Sequence, residues 1–249
     1  MIKLFSNIRQ KLLAEGKTSN YLKYAIGEIV LVMIGILLAL QINNWNEVRK
    51  DRAYEVKMLA QIKKALEQDH RFFTEHLLGR RNKTVKNAVN FFKNSILKDS
   101  ADQDSVNFHF HRLIHGLQIT YNRGPYEALK TSGLDKISND SLRNRLIYVY
   151  DFIYPRYEGL ITIGQDSYFE KAEPLQELLS IREGISVVND EVVFEGTTMK
   201  PTDFKTNLDF LELLKSASEY ASDTKMLLKR LIPFMEGLIA LIDEEIDRN

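Results

Sequence analysis

The sequence predicts a mostly α-helical protein, in which an N-terminal transmembrane helix continues into a helical-bundle extracytoplasmic domain with one small β-hairpin. Three patterns in the chain of 249 residues support this fold class. An apolar stretch lies near the N-terminus, apolar residues then recur every three or four positions, and one short segment alternates with period two. The chain therefore divides into a membrane segment and a helical body.

The apolar stretch runs from Tyr24 to Ile42, and only Glu28 and Gln41 within it are strongly polar. A helix of this length spans roughly 28 Å, which is enough to cross the hydrocarbon core of a bilayer. Its uninterrupted apolar core, Ile29–Leu40, would also fit a buried soluble helix or the apolar region of a signal peptide. A long basic head before it, and no small-x-small cleavage pattern after it, favour an uncleaved signal-anchor over residues 24–42.

The order of the segments predicts the topology. The first 23 residues carry five basic side chains, and one long domain follows the span, a layout in which the C-terminal domain is exported. The prediction is a single-pass protein of the bacterial inner membrane, with a cytoplasmic basic head at residues 1–23 and a periplasmic domain at residues 43–249. The lipid bilayer is its first predicted partner.

The composition excludes several functional classes. Lysine plus arginine and aspartate plus glutamate number 34 each, so the chain lacks the basic excess of nucleic-acid-binding domains. Without cysteine it has no disulfide framework, thiolate nucleophile or thiolate-bound zinc. Nucleotide-binding loops, dinucleotide fingerprints and hydrolase nucleophile motifs are missing from the sequence, so we predict no catalytic residues and no cofactor.

Two stretches carry a family resemblance. The first is YLKYAIGEIVLVMIGILLALQINNWNE at residues 21–47, and the second is GPYEALKTSG at residues 124–133, followed by ISNDSLR at residues 137–143. Together they resemble a family of uncharacterised single-pass membrane proteins of Bacteroidota, a domain-of-unknown-function family. The resemblance implies a membrane anchor and a mostly helical body, and it brings no established activity.

Within the span, Gly35 and Ala39 form a small-xxx-small pair on one face of the helix. Such pairs let two membrane helices approach closely, which predicts a homodimer through this face. The alternative is that small residues are simply frequent in membrane helices and mark no contact.

Helical periodicity continues directly after the span. Apolar residues from Val48 to Leu77 recur mostly at three- and four-residue steps, and no proline or glycine interrupts them. A turn is expected near Gly79, before a second helix that ends in the polar run at residues 98–105.

The middle of the chain has clear helix boundaries. Pro125 and Gly133 are expected to start and stop a short helix, because proline fits the first turn and glycine the position after the last. Asn139 or Asp140 then caps a longer helix, and Pro155 either kinks it or starts the next one.

The segment Ile185–Phe194 breaks this helical rhythm. A two-residue turn at Asn189 and Asp190 would place Val187 opposite Val192 in a β-hairpin, and Ile185 opposite Phe194. Two helices are expected afterwards, the second of them interrupted at Pro233, and the junction between them is read either as a turn or as a continuation.

Histidines give no metal site. His111 and His115 are four residues apart on a predicted helix, and His109 precedes them, but two helical ligands need a third ligand at the right place. The sequence contains no His-Glu-x-x-His pattern to supply one, so no metal is predicted.

Tyrosines and basic residues crowd the middle third of the chain. Aromatic rings beside basic groups can hold a carboxylate or a sugar, which predicts a ligand-binding site in this region. Its predicted residues are Arg123, Tyr126, Lys130 and Arg143. The alternative is that the tyrosines fill the edge of the core while their hydroxyls reach water.

Two functional classes remain open. The helical bundle and the lack of catalytic constellations favour a structural, sensory or partner-binding module, whose partner is an unidentified protein of the cell envelope. The alternative is an envelope enzyme or small-ligand-binding protein with its site in the tyrosine-rich third, where Glu127 and Asp135 would be the available carboxylates.

Overall fold

The computed structural model describes residues 18–98, 101–113, 119–182, 185–188, 191–194, 197–200 and 203–248. Residues 1–17 of the predicted cytoplasmic head lie outside this description. The predicted mostly α-helical fold is confirmed. The chain divides into two compact units, Met1–Val56 and Lys57–Asn249.

The first helix, α1, runs from Thr18 to Arg71 and contains the predicted span. Among the described residues, one continuous helix, Ala25–Lys98, is long and apolar enough to cross a membrane. Its 18-residue apolar window has a mean hydropathy of 2.4, and none of this window is buried within the chain. Length and composition therefore both fit a membrane helix.

The turn expected near Gly79 does not form. Helix α1 passes without a break into a π-helix, Phe72–Asn82, which continues as α2, Lys83–Lys98. A Cβ atom at position 79 would lie 3.1 Å from the carbonyl oxygen of Thr74, five residues earlier. Glycine therefore accommodates the wider π-helical turn here and does not end the helix.

After α3, Gln103–Leu113, the predicted helix boundaries are confirmed. Helix α4, Gly124–Ser132, has proline in its first turn and stops at Gly133, whose φ of +109° favours glycine. A 3₁₀ turn, Leu134–Lys136, follows. Asn139 then caps α5, Asp140–Ile147, because its Oδ1 accepts the backbone N–H groups of Ser141 and Leu142 at 3.0 and 3.2 Å.

Prolines end neither of the two long C-terminal helical runs. Helix α5 passes through a second π-helix, Tyr148–Ile153, into α6, Tyr154–Leu179, which has Pro155 in its first turn. Helix α7, Leu208–Asp247, contains Pro233 and continues through the junction that the sequence left open. Pro233 is exposed, so the carbonyl that loses its helical hydrogen bond can bind solvent.

Four short strands form two antiparallel pairs between α6 and α7. Strand β1, Ser180–Arg182, pairs with β4, Thr197–Met199, while β2, Ile185–Val188, pairs with β3, Glu191–Phe194. The predicted hairpin register is confirmed, since residue 185 opposes 194 and residue 187 opposes 192. The outer β1–β4 pair was not predicted, and the turn residues 189 and 190 lie outside the described residues.

The core of the second unit is built from helix faces. Phe92 of α2 is fully buried, and its ring meets those of Phe204 and Phe210 edge-on at centroid distances of 5.4 and 4.9 Å. Such tilted aromatic pairs combine large buried area with favourable ring electrostatics. Helices α6 and α7 pack along each other over much of their length.

Candidate functional site

Helix α4 and the residue before it bring three of the four predicted ligand-binding residues together. Arg123, Tyr126 and Lys130 are three and four residues apart, which places them on one helical face. All three face Asp151 of the second π-helix. The Tyr126 hydroxyl and the Lys130 ammonium donate to Asp151 Oδ2 at 2.9 and 2.8 Å, and Arg123 Nη2 lies 3.9 Å from Asp151 Oδ1.

These groups keep Asp151 ionised. Burial opposes the charge of its carboxyl, but the hydrogen bonds from Lys130 and Tyr126 and the nearby positive charges outweigh burial and lower its pKa. Arg123 is also held by Glu127, at 3.3 Å. An acidic ligand would therefore have to displace carboxylates that already occupy the predicted cationic groups.

Arg143 does not join this cluster in the described contacts. Its guanidinium donates to the carbonyl oxygen of Ile137 at 3.1 Å and forms an ion pair with Asp140. Both partners flank the start of α5, so Arg143 stabilises the entry into that helix. Arg143 was predicted in the site because it lies near the tyrosines in the sequence. Sequence position alone does not show which surface a basic side chain faces after folding.

The tyrosines of the cluster stack on one another. The rings of Tyr126 and Tyr150 are nearly parallel at a centroid distance of 4.5 Å, and Tyr121 stacks on Tyr154 at 4.1 Å. Tyr126, Tyr150 and Tyr154 are fully buried, so most of the cluster belongs to the core. The hydroxyls of Tyr150 and Tyr154 find no hydrogen-bond partner among the described residues, and burial raises the pKa of both.

Asp69 of α1 lies in the same region, although its sequence position did not mark it as a site residue. Its carboxylate is 7% exposed and accepts the backbone N–H of Asn122, with N–O distances of 3.0 and 3.2 Å. Burial raises its pKa to about 6, although the hydrogen bond opposes the shift. A usable signal existed, because Asp69 falls on the apolar stripe that includes Leu66 and Phe73.

The described contacts of the cluster hold separate helices together. Asp151 accepts hydrogen bonds from two side chains of α4, and Asp69 accepts one from the backbone of Asn122, just before α4. Within the described residues no three histidine, aspartate or glutamate side chains are grouped to hold a metal ion. His109 stacks on Phe91 at a centroid distance of 4.2 Å, and His115 lies outside the described residues.

A second, exposed surface lies on the helical run that is formed by α5, the second π-helix and α6. We name it the aromatic–arginine stripe, and it consists of Arg145, Tyr148, Phe152, Arg156, Leu160 and Ile163. The spacing of three or four residues places them along one face. The four apolar members are 40 to 68% exposed. Tyr148 and Phe152 stack on each other at 5.5 Å, and Arg145 and Arg156 lie within 6 Å of these rings.

The two arginines of this stripe contact rings and lack acidic partners. Arg145 also lies 5.4 Å from the ring of Phe234 on α7. In the described part of the chain, neither guanidinium forms an ion pair, whereas Lys130 and Lys63 do so at 2.8 and 2.5 Å. Guanidinium groups held over aromatic rings keep their hydrogen-bond donors available for a carboxylate.

The fold and these surfaces define a helical protein that combines one exposed apolar span with a compact helical unit. The chain belongs to a family of unknown function (DUF6090), whose family model matches residues 28–174. This match covers most of the span and the whole tyrosine cluster, and it ends before α7. No curated protein and no solved structure matches the chain.

Proposed function

We propose that the chain is a single-pass protein of the bacterial inner membrane whose periplasmic helical domain binds an acidic segment of an envelope protein. One observation carries the membrane part of the proposal. Every large apolar side chain described between Leu22 and Trp45 is 46 to 66% exposed within the chain. A helix that is apolar on all sides needs a surrounding apolar phase, and lipid supplies it.

The free energy of burying these apolar side chains favours lipid over water as the surroundings of the helix. Full burial of one large aliphatic side chain contributes about 1.5–3 kcal/mol, and more than a dozen such side chains surround this segment. Soluble monomers rarely leave a continuous apolar surface of this size uncovered. The basic head and the long following domain favour a cytoplasmic N-terminus.

The aromatic–arginine stripe supports the binding part of the proposal. Tyrosine, phenylalanine and arginine are enriched at protein interfaces, where aromatic side chains bury large areas with little loss of side-chain entropy. Two guanidiniums without carboxylate partners in the described residues make the stripe complementary to an acidic segment. We therefore expect the partner to present carboxylates beside an apolar face.

A photo-crosslinking residue placed at Phe152 in living cells tests this surface. We expect a discrete adduct whose crosslinked peptide is acidic, and we expect charge reversal with Arg145→Glu and Arg156→Glu to abolish it. The matched control is the same crosslinker at Leu97, which is 81% exposed on α2. Equal adducts at the two positions, or an adduct that survives charge reversal, would contradict partner binding at the stripe.

The span itself supports a homodimer. A Cβ atom added at Gly35 would meet nothing within 4 Å in the chain, so no packing inside the chain requires glycine there. We expect Gly35→Ile to weaken self-association in an inner-membrane two-hybrid assay, because it forces two spans apart at the Gly35 and Ala39 face. Val30→Ile, on the opposite side of the helix, is the control. Equal signals from both variants and the unmodified span would rule out this interface.

A further inference from the structure

A small pocket of about 220 Å³ lies between α2 and α7, away from both surfaces described above. Helix α2 lines it with Lys86, Asn90 and Lys93, and helix α7 with Ser218, Ser222 and Lys225. Both sets have the spacing i, i+4, i+7, which keeps each set on one face of its helix. Two polar helix faces therefore oppose each other across the pocket.

The helices are fixed beneath these polar faces. Val89 and Ala221 also line the pocket and are buried, at 3 and 5% exposure. The side-chain amide of Asn82 donates to the backbone carbonyl of Ala221, which links the π-helix before α2 directly to α7. A buried hydrogen bond of this kind fixes the relative position of the two helices, so the pocket is built into the fold.

The charge of the pocket has one sign. Its lining contains three lysines and no carboxylate. None of these three ammonium groups forms an ion pair with a residue that the structure describes, in contrast to Lys63, which binds Asp243 at 2.5 Å. The whole chain has a formal net charge of zero, so this positive charge is a local property of the pocket. Like charges around one concave site attract small anions.

We propose that this pocket binds a phosphate group, carried either by a soluble phosphorylated compound or by a lipid headgroup. Lysine ammonium groups act as point charges for phosphate, and the serine hydroxyls and the Asn90 amide offer further donors. A phosphate has more charge and more acceptor oxygens than a carboxylate, so it uses this set of donors more completely. The pocket lies outside the tyrosine cluster and the aromatic–arginine stripe, and it shares no lining residue with either.

The test uses the full chain in a phospholipid-free nonionic detergent, with inorganic pyrophosphate as the soluble probe in calorimetric titrations. We expect the triple variant Lys86→Gln, Lys93→Gln, Lys225→Gln to lose affinity by at least about 100-fold, since each charged hydrogen bond contributes about tenfold. A control variant removes the same charge at exposed lysines elsewhere: Lys57→Gln, Lys64→Gln, Lys229→Gln. We expect this control to bind within about twofold of the unmodified chain, and circular dichroism verifies the fold of both variants.

A second titration identifies the source of the phosphate. Short-chain phosphatidylglycerol, below its critical micelle concentration, replaces pyrophosphate. If the unmodified chain and the control variant bind the lipid and the pocket variant does not, the phosphate is that of a lipid headgroup. If the chain binds pyrophosphate but not the lipid, the phosphate is that of a soluble compound. The proposal is overturned if the unmodified chain binds neither probe, or if both triple variants lose or retain binding equally.

Discussion

Replacing Ile34 and Leu38 together by arginine is expected to remove the protein from the membrane fraction. The two positions lie one turn apart near the centre of the span and are 51 and 58% exposed within the chain. A charged residue at the centre of a membrane helix costs about 2.5–3.5 kcal/mol on insertion scales, so two arginines cost about 6 kcal/mol. This lowers the partition coefficient by about four orders of magnitude.

Pulse-labelling followed by alkaline extraction measures how the protein divides between the membrane and soluble fractions before the soluble protein is degraded. The control carries Asn44→Arg and Val48→Arg, which have the same spacing but follow the predicted span. We expect the control to remain in the membrane pellet, because arginine is tolerated near the end of a membrane helix. Extraction of both variants to the same extent would count against residues 24–42 as the membrane segment.

Asp69→Asn is expected to stabilise the folded domain at neutral pH by up to about 3 kcal/mol. Burial raises the folded pKa of Asp69 from its ordinary value of 3.8 to about 6. Between these two values the folded state binds more protons than the unfolded state, so stability falls as pH rises through this window. At 1.36 kcal/mol per pKa unit, the loss amounts to about 3 kcal/mol above pH 6. An amide oxygen at this position still accepts the Asn122 N–H and carries no charge.

Urea unfolding of the full chain in detergent, followed by circular dichroism at several pH values, measures this effect. The difference in unfolding free energy between Asp69→Asn and the unmodified chain should be near zero at pH 4 and should rise to its plateau above pH 6. Asp166→Asn, at an exposed position on α6, is the control and should leave the curve unchanged. A variant that is less stable than the unmodified chain at every pH would show that the Asp69 charge supports the fold.

Sequence reasoning succeeded where local chemistry determines structure. The long apolar helix, the helix stop at Gly133, a cap at Asn139 or Asp140 and the register of the inner hairpin were all predicted, because each depends on residues within a few positions of one another. Gly79 was misjudged because glycine can either end a helix or permit a wider turn, and sequence alone does not separate these roles.

The candidate sites depend on contacts between distant parts of the chain. Asp151 neutralises Lys130 from another helix, which no spacing rule reveals. Arg143 was grouped with Arg123, Tyr126 and Lys130 as a basic residue near the tyrosines, but its described partners are local. The lysine pocket combines α2 with α7, and only the packing of these helices places Lys93 and Lys225 around the same space.

Reporter fusions at Asn249 test the central claim most directly. The claim is that the chain crosses the inner membrane once, with its N-terminus in the cytoplasm and its helical domain in the periplasm. One fusion carries a reporter that is active only outside the cytoplasm, and a parallel fusion carries one that is active only inside it. We predict activity from the first reporter and none from the second. An inactive external reporter together with an active cytoplasmic one would contradict the proposed topology.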